Sequence, residues 1–186
     1  MTLDTLEKLM KAAKMKYFRD PDRPALMFPA TGLFGTYQFV VILDVDGAFL
    51  QFRTLSYLHC EANHPHNYAV LKVLEETNYR LRLVKFGWDP QDGEIVVYVD
   101  HWVMDGSVTE AQFERMLGSL LPSVDMASAR IKKTMETGTD PGEFDPTKAL
   151  EEAVKTGGSS SGLSDLLKKV REKLAGGKKT EGPDTI

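Results

Sequence analysis

Cysteine is almost absent from this chain of 186 residues, which holds one, Cys60. An internal disulfide is therefore impossible, which excludes a small stapled secreted fold and agrees with a reducing compartment. Long apolar runs are missing as well, and nothing approaches the roughly 20 residues that span a bilayer. The opening Met1-Thr-Leu-Asp-Thr-Leu-Glu-Lys8 lacks the basic-then-apolar layout of a signal peptide, so the expected location is cytoplasmic. Excess positive charge is also lacking: residues 1–156 carry 17 Lys plus Arg against 23 Asp plus Glu. Nucleic-acid binding needs a basic face and is not expected of such a body. No Gly-rich phosphate cradle and no Ser-centred elbow occurs where a strand meets a helix. Asp44-Val-Asp-Gly47 lacks the remaining ligand positions of a calcium loop. The expectation is a protein without enzymatic activity, catalytic residues or cofactor.

What is present is ordinary globular composition, 42% apolar and 27% charged, enough for one domain with a proper core. Its centre runs from Tyr37 to Trp102, two hairpins with a helix between them. Asp46-Gly47 separates two runs of β-branched and aromatic residues, a strong hairpin signal. Asp89-Pro-Gln-Asp-Gly93 is the second turn, between strands expected at 80–86 and 94–102. Tyr37 to Asp44 is apolar on both faces, as a central strand is. Ala25 to Phe28 reads as a short edge strand before Pro29. The other strands are apolar on one face and mixed on the second, with Val40 and Phe49 in the first hairpin and Val84 and Tyr98 in the second assigned to the mixed face.

Helices flank these strands. Asp4 with Glu7 reads as a capping box, followed by a stripe of Leu3, Leu6, Met10, Ala13 and Tyr17 that packs on the sheet or forms a seam between chains. Asn63 reads as the cap of the middle helix, with Val70, Leu71, Leu74 and Asn78 on one face. Thr109-Glu-Ala-Gln112 is a capping box for a helix that Pro122 is expected to stop, with Ser123 starting another that reaches Gly138. The fold class is thus α+β, an antiparallel sheet of about five strands flanked by helices in the order α-β-β-β-α-β-β-α.

From Gly138 the composition changes. Residues 1–137 form the expected domain, 138–162 a linker with a short helix from Asp145, and 163–186 a tail with a disordered end. Leu163, Leu166, Leu167, Val170 and Leu174 share one face of a basic amphipathic helix, suited to a partner or an anionic surface, with Leu166 and Val170 as its contact residues.

One stretch looks chemical. His59-Cys-Glu-Ala-Asn-His-Pro-His66 gathers three of the four histidines with the only cysteine, and imidazole and thiolate are zinc ligands. A small metal-binding enzyme or sensor at His59, Cys60, His64 and His66, with His101 as a further ligand, is the competing reading. Against it, His64 and His66 stand two apart at a helix start and point apart. No metal or cofactor is expected.

The order of elements, Asp46-Gly-Ala-Phe-Leu-Gln-Phe-Arg53 after a long apolar strand, the helix Val70-Leu-Lys-Val-Leu-Glu-Glu-Thr-Asn78, the second hairpin and Val108-Thr-Glu-Ala-Gln-Phe113 resemble the YbjN family of bacterial proteins over roughly residues 3 to 137. The fold of that family is similar to that of type III secretion chaperones. The resemblance implies an α+β domain, often dimeric, that binds a polypeptide and performs no reaction. Members are labelled regulators of sensory transduction. The expectation is a chaperone-like or regulatory module that binds a protein partner, or itself as a homodimer, through Val40, Phe49, Val84 and Tyr98. A structural homo-oligomer with its seam in the first helix is the other alternative.

Overall fold

The computed structural model describes residues 1–143, which form one compact unit. The short helix expected from Asp145, the linker Gly157–Gly162 and the tail helix with Leu166 and Val170 lie outside the described residues. The element order is α1 (Leu3–Ala12), β1 (Phe18–Arg19), β2 (Ala25–Thr31), β3 (Thr36–Asp44), β4 (Phe49–Leu55), β5 (Leu58–His59), α2 (Asn67–Arg80), β6 (Lys85–Trp88), β7 (Glu94–Trp102) and α3 (Glu110–Thr137). All strand pairs are antiparallel, and the class is α+β as the pattern requires.

Seven strands stand where five were expected, because β1 and β5 are two residues long and carry no alternation to read. The sheet runs β1-β2-β3-β4-β7, and β7 is flanked by β4 and β5 on one side and by β6 on the other. β5 continues β4 along β7 after a break at Ser56, whose φ of 48° turns the strand. There the buried Thr54 hydroxyl accepts the Val97 N–H at 3.0 Å and fills the gap in the ladder. The first hairpin turns through residues 45–47, all at positive φ, with the Asp44 carboxylate accepting the Val45 N–H at 2.7 Å.

One face of the sheet is core. Leu26, Phe28, Phe39, Val41, Leu50, Phe52, Val97 and Val99 pack there with the buried faces of all three helices. Phe52 meets Phe113 of α3 with ring centroids 5.2 Å apart, and Leu6, Leu9 and Met10 of α1 are buried in the same cluster. The α1 stripe is therefore intramolecular core, and its two central residues, Leu6 and Met10, are fully occupied within the chain. Thr2 rather than Asp4 caps α1, accepting the Thr5 N–H at 3.2 Å, and the helix ends at Ala12, short of Tyr17. Asp4 and Glu7 instead hold Arg19 on β1.

Pro122 does not stop α3. The buried stripe Phe113, Met116, Leu117 and Leu120 continues through Val124, Ala127 and Ile131, while Pro122 itself points to solvent. The apolar face thus offsets the one helical bond that proline removes, a loss of about 3 kcal/mol in an isolated helix interior. The expected capping box of Thr109 and Gln112 is present in both directions. Asp125 in the same helix accepts the N–H groups of Leu33 at 2.6 Å and Phe34 at 2.8 Å, which anchors the β2–β3 loop. Gly32 is required there, since a Cβ would sit 2.2 Å from the Asp125 carboxyl carbon.

Candidate functional site

The register places the second face of the sheet in rows. Phe18, Met27, Val40, Arg53, Tyr98 and Lys85 are successive cross-strand neighbours from β1 to β6. At the usual strand spacing this row spans about 24 Å. Beside it run Ala25, Ile42, Gln51 and Asp100, and then Asp44, Phe49 and Trp102. None of these side chains belongs to the main core cluster, whose members include the buried apolar residues of every helix. Among the described residues the face carries no helix.

Its chemistry is mixed. Phe18 and Trp102 are 68% and 58% exposed, and Phe49 packs against Trp102 with ring centroids 5.1 Å apart. The Gln51 amide donates to Asp100 at 2.7 Å, and Arg53 reaches Glu94 at 3.2 Å. A groove of about 230 Å³ opens between Gln51, Arg53, Val96, Tyr98 and Asp100. The Nε–H of Arg53 is buried without an acceptor, alone in this among the side-chain nitrogen and oxygen atoms of the described residues. An unmet buried donor costs about 1–3 kcal/mol.

The sequence-assigned residues divide. Phe49 and Tyr98 lie on this face, half-buried, and Val40 lies in the central row but is 1% exposed, between the longer Met27 and Arg53. Val84 does not belong here. It is 1% exposed and part of the main core, on the helix-covered side. The strand expected at 80–86 begins at Lys85, because α2 continues to Arg80, and Phe86 opposite Val97 puts the odd positions of β6 on the open face. Phe18 and Met27 were missed as surface residues. The alternation Ala25-Leu-Met-Phe28 held the signal for Met27, whereas a two-residue strand at Phe18 has none.

The histidine-rich stretch brings two rings together but no ligand set: His64 and His66, expected to point apart, lie edge to face with centroids 5.7 Å apart. His59 is exposed and faces Glu61 at 3.9 Å, while His64 Nδ1 accepts the His66 N–H at 3.1 Å. His101 pairs with Leu50 seven residues along β7 from the Glu94 that pairs with His59, a separation of about 23 Å. Among the described residues no three His, Cys, Asp or Glu side chains could hold a metal ion. Cys60 is buried, its backbone N–H donates to Gly93 at 2.8 Å and its carbonyl accepts the Trp88 indole at 2.8 Å. Burial pushes its thiol pKa up, away from the thiolate that metal binding or nucleophilic attack needs. The helix starts at Asn67 rather than at Asn63, and the Asn67 amide reaches back to Glu61 O at 3.3 Å.

The family model YbjN, described as "Putative bacterial sensory transduction regulator", matches residues 2–133. The chain belongs to the YbjN family. A crystal structure of YbjN from E. coli is similar at 20% identity, covering 72% of this chain and 91% of that one with a TM-score of 0.52, which shows the fold. The HopA1–SchA chaperone–effector complex is similar at 13% identity, with 65% and 88% covered and a TM-score of 0.46. The ExsC–ExsE complex follows at 13% identity, 66% and 87% covered, and 0.39. No curated protein matches the chain at a significant level. Among the described residues of this YbjN-family chain no helix is long and apolar enough to cross a membrane.

Proposed function

We propose that residues 1–137 are a non-catalytic protein-interaction module that holds an extended polypeptide, from a partner or a second copy of the chain, across the open face of the sheet. The observation that supports this reading is the row Phe18, Met27, Val40, Arg53, Tyr98 and Lys85, whose members other than the buried Val40 keep accessible surface, with aromatic area at its margins. Apolar positions there supply contact area, and Gln51, Arg53 and Asp100 bring polar groups to the bound segment. Within this reading Val40 supports the surface from below, while Phe49 and Tyr98 touch the occupant. Leu166 and Val170 are proposed as accessory contacts with a partner.

The test is Tyr98→Lys in the full chain. Tyr98 is half-buried on an open strand, so the variant stays folded by circular dichroism and urea unfolding. It loses the bound polypeptide in affinity capture, or its own dimer in light scattering. Capture and assembly that match the unsubstituted chain contradict the assignment.

A further inference from the structure

On the opposite, helix-covered side a groove of about 490 Å³ opens between the α2–β6 connection and the middle of α3. Leu81, Leu83 and Val84 line one part, and Arg82, Arg115 and Ser119 bring polar groups to it. Ser119 and Ser123, both short side chains, keep the helix surface low here.

The arginines are the informative feature. The described residues contain seven. Arg19, Arg23, Arg53, Arg80 and Arg130 each form an ion pair with a carboxylate. The two without an acidic partner among the described residues, Arg82 and Arg115, line the same groove. This occurs in a segment where residues 1–143 hold 20 Asp plus Glu against 15 Lys plus Arg, so acidic partners are not scarce. Two guanidiniums without an acidic partner among the described residues, beside an aliphatic wall, complement a ligand that is both anionic and apolar.

We propose that this groove binds an acidic, apolar-flanked peptide segment of a protein partner, with Arg82 and Arg115 each engaging a carboxylate and Leu81 and Leu83, over the buried Val84, receiving an adjacent aliphatic or aromatic side chain. Guanidinium–carboxylate pairs are directional and charge-assisted, which fixes the register of such a segment. An inorganic anion leaves the aliphatic wall unused. The site stands on different residues from the open sheet face and does not depend on it.

The experiment is panning of a random peptide library on the full chain and on R82Q/R115Q, followed by titration of the selected peptides. Arg82 and Arg115 are both exposed, so the double variant keeps the unfolding midpoint of the parent. The expected result is enrichment of Asp and Glu next to Leu, Ile or Phe, with binding weakened about tenfold or more in R82Q/R115Q and partly restored in R82K/R115K. Selected peptides that bind parent and R82Q/R115Q alike overturn the proposal, as does a selection without acidic enrichment. Sedimentation of the parent, but not of R82Q/R115Q, with phosphatidylglycerol vesicles and no peptide enriched also overturns it, in favour of a lipid headgroup.

Discussion

The side-chain amide of Asn78 on α2 donates to the carbonyl of Phe86 at 2.9 Å and accepts its N–H at 2.7 Å. A helix residue thereby makes the two bonds that an additional strand would make to the outer edge of β6. Lys85 completes the junction, its ammonium donating to the carbonyls of Asn78 at 3.0 Å and Leu81 at 2.8 Å at the end of α2. Exposed strand edges invite pairing with other chains, and this one is closed by a side chain.

Replacing Asn78 by Ala leaves both Phe86 backbone groups unpaired. The expected cost is about 1–3 kcal/mol, measured as a lowered urea midpoint, together with concentration-dependent self-association that the parent lacks. A variant with unchanged midpoint and mass contradicts the edge-closing role.

Asp140, just beyond α3, joins Arg130 at 2.5 Å, and Arg130 also reaches Glu76 of α2 at 2.8 Å. The Arg130 hydrogen bonds hold the Asp140 carboxyl below its ordinary value of 3.8. A depressed carboxylate contributes stability that is present above its unfolded pKa and lost as pH falls through the folded one. The stability difference between parent and Asp140→Asn is therefore expected to stay level from about pH 7 to pH 5 and to shrink below about pH 4. Urea unfolding across that range checks it.

The buried thiol of Cys60, with its pKa raised by burial, is expected to resist iodoacetamide at neutral pH in the folded chain and to react once urea unfolds it. Mass spectrometry of the alkylated protein reads the outcome. Prompt labelling of the native chain contradicts the structural role assigned to this residue.

Much of this fold was legible because period-2 alternation is local. Phe49 to Leu55 and Glu94 to Trp102 sort onto two faces in sequence as they do in the sheet. Phase was legible only where the element boundary was: α2 runs two residues past Asn78, so Val84 and Phe86 turn inward instead of outward. The continuity of α3 was hidden because a proline rule is local, whereas the stripe that carries the helix past Pro122 gains its energy from tertiary burial. For the candidate site, Phe49 and Tyr98 were readable from alternation. The alignment of Phe18 and Met27 with them depends on register across six strands, and Arg82 with Arg115 on a contact between distant segments.

The central claim, that the open sheet face holds a polypeptide, is tested most directly by a photo-crosslinking amino acid placed in the full chain in its source cells. One position is Trp102, on the face, and the control is Tyr79, which is 90% exposed on α2. The predicted result is a discrete crosslinked polypeptide, partner or second copy, at position 102 only, which disappears when Tyr98→Lys is added. The same adducts at position 79, none at position 102, or adducts at 102 that survive Tyr98→Lys would contradict it.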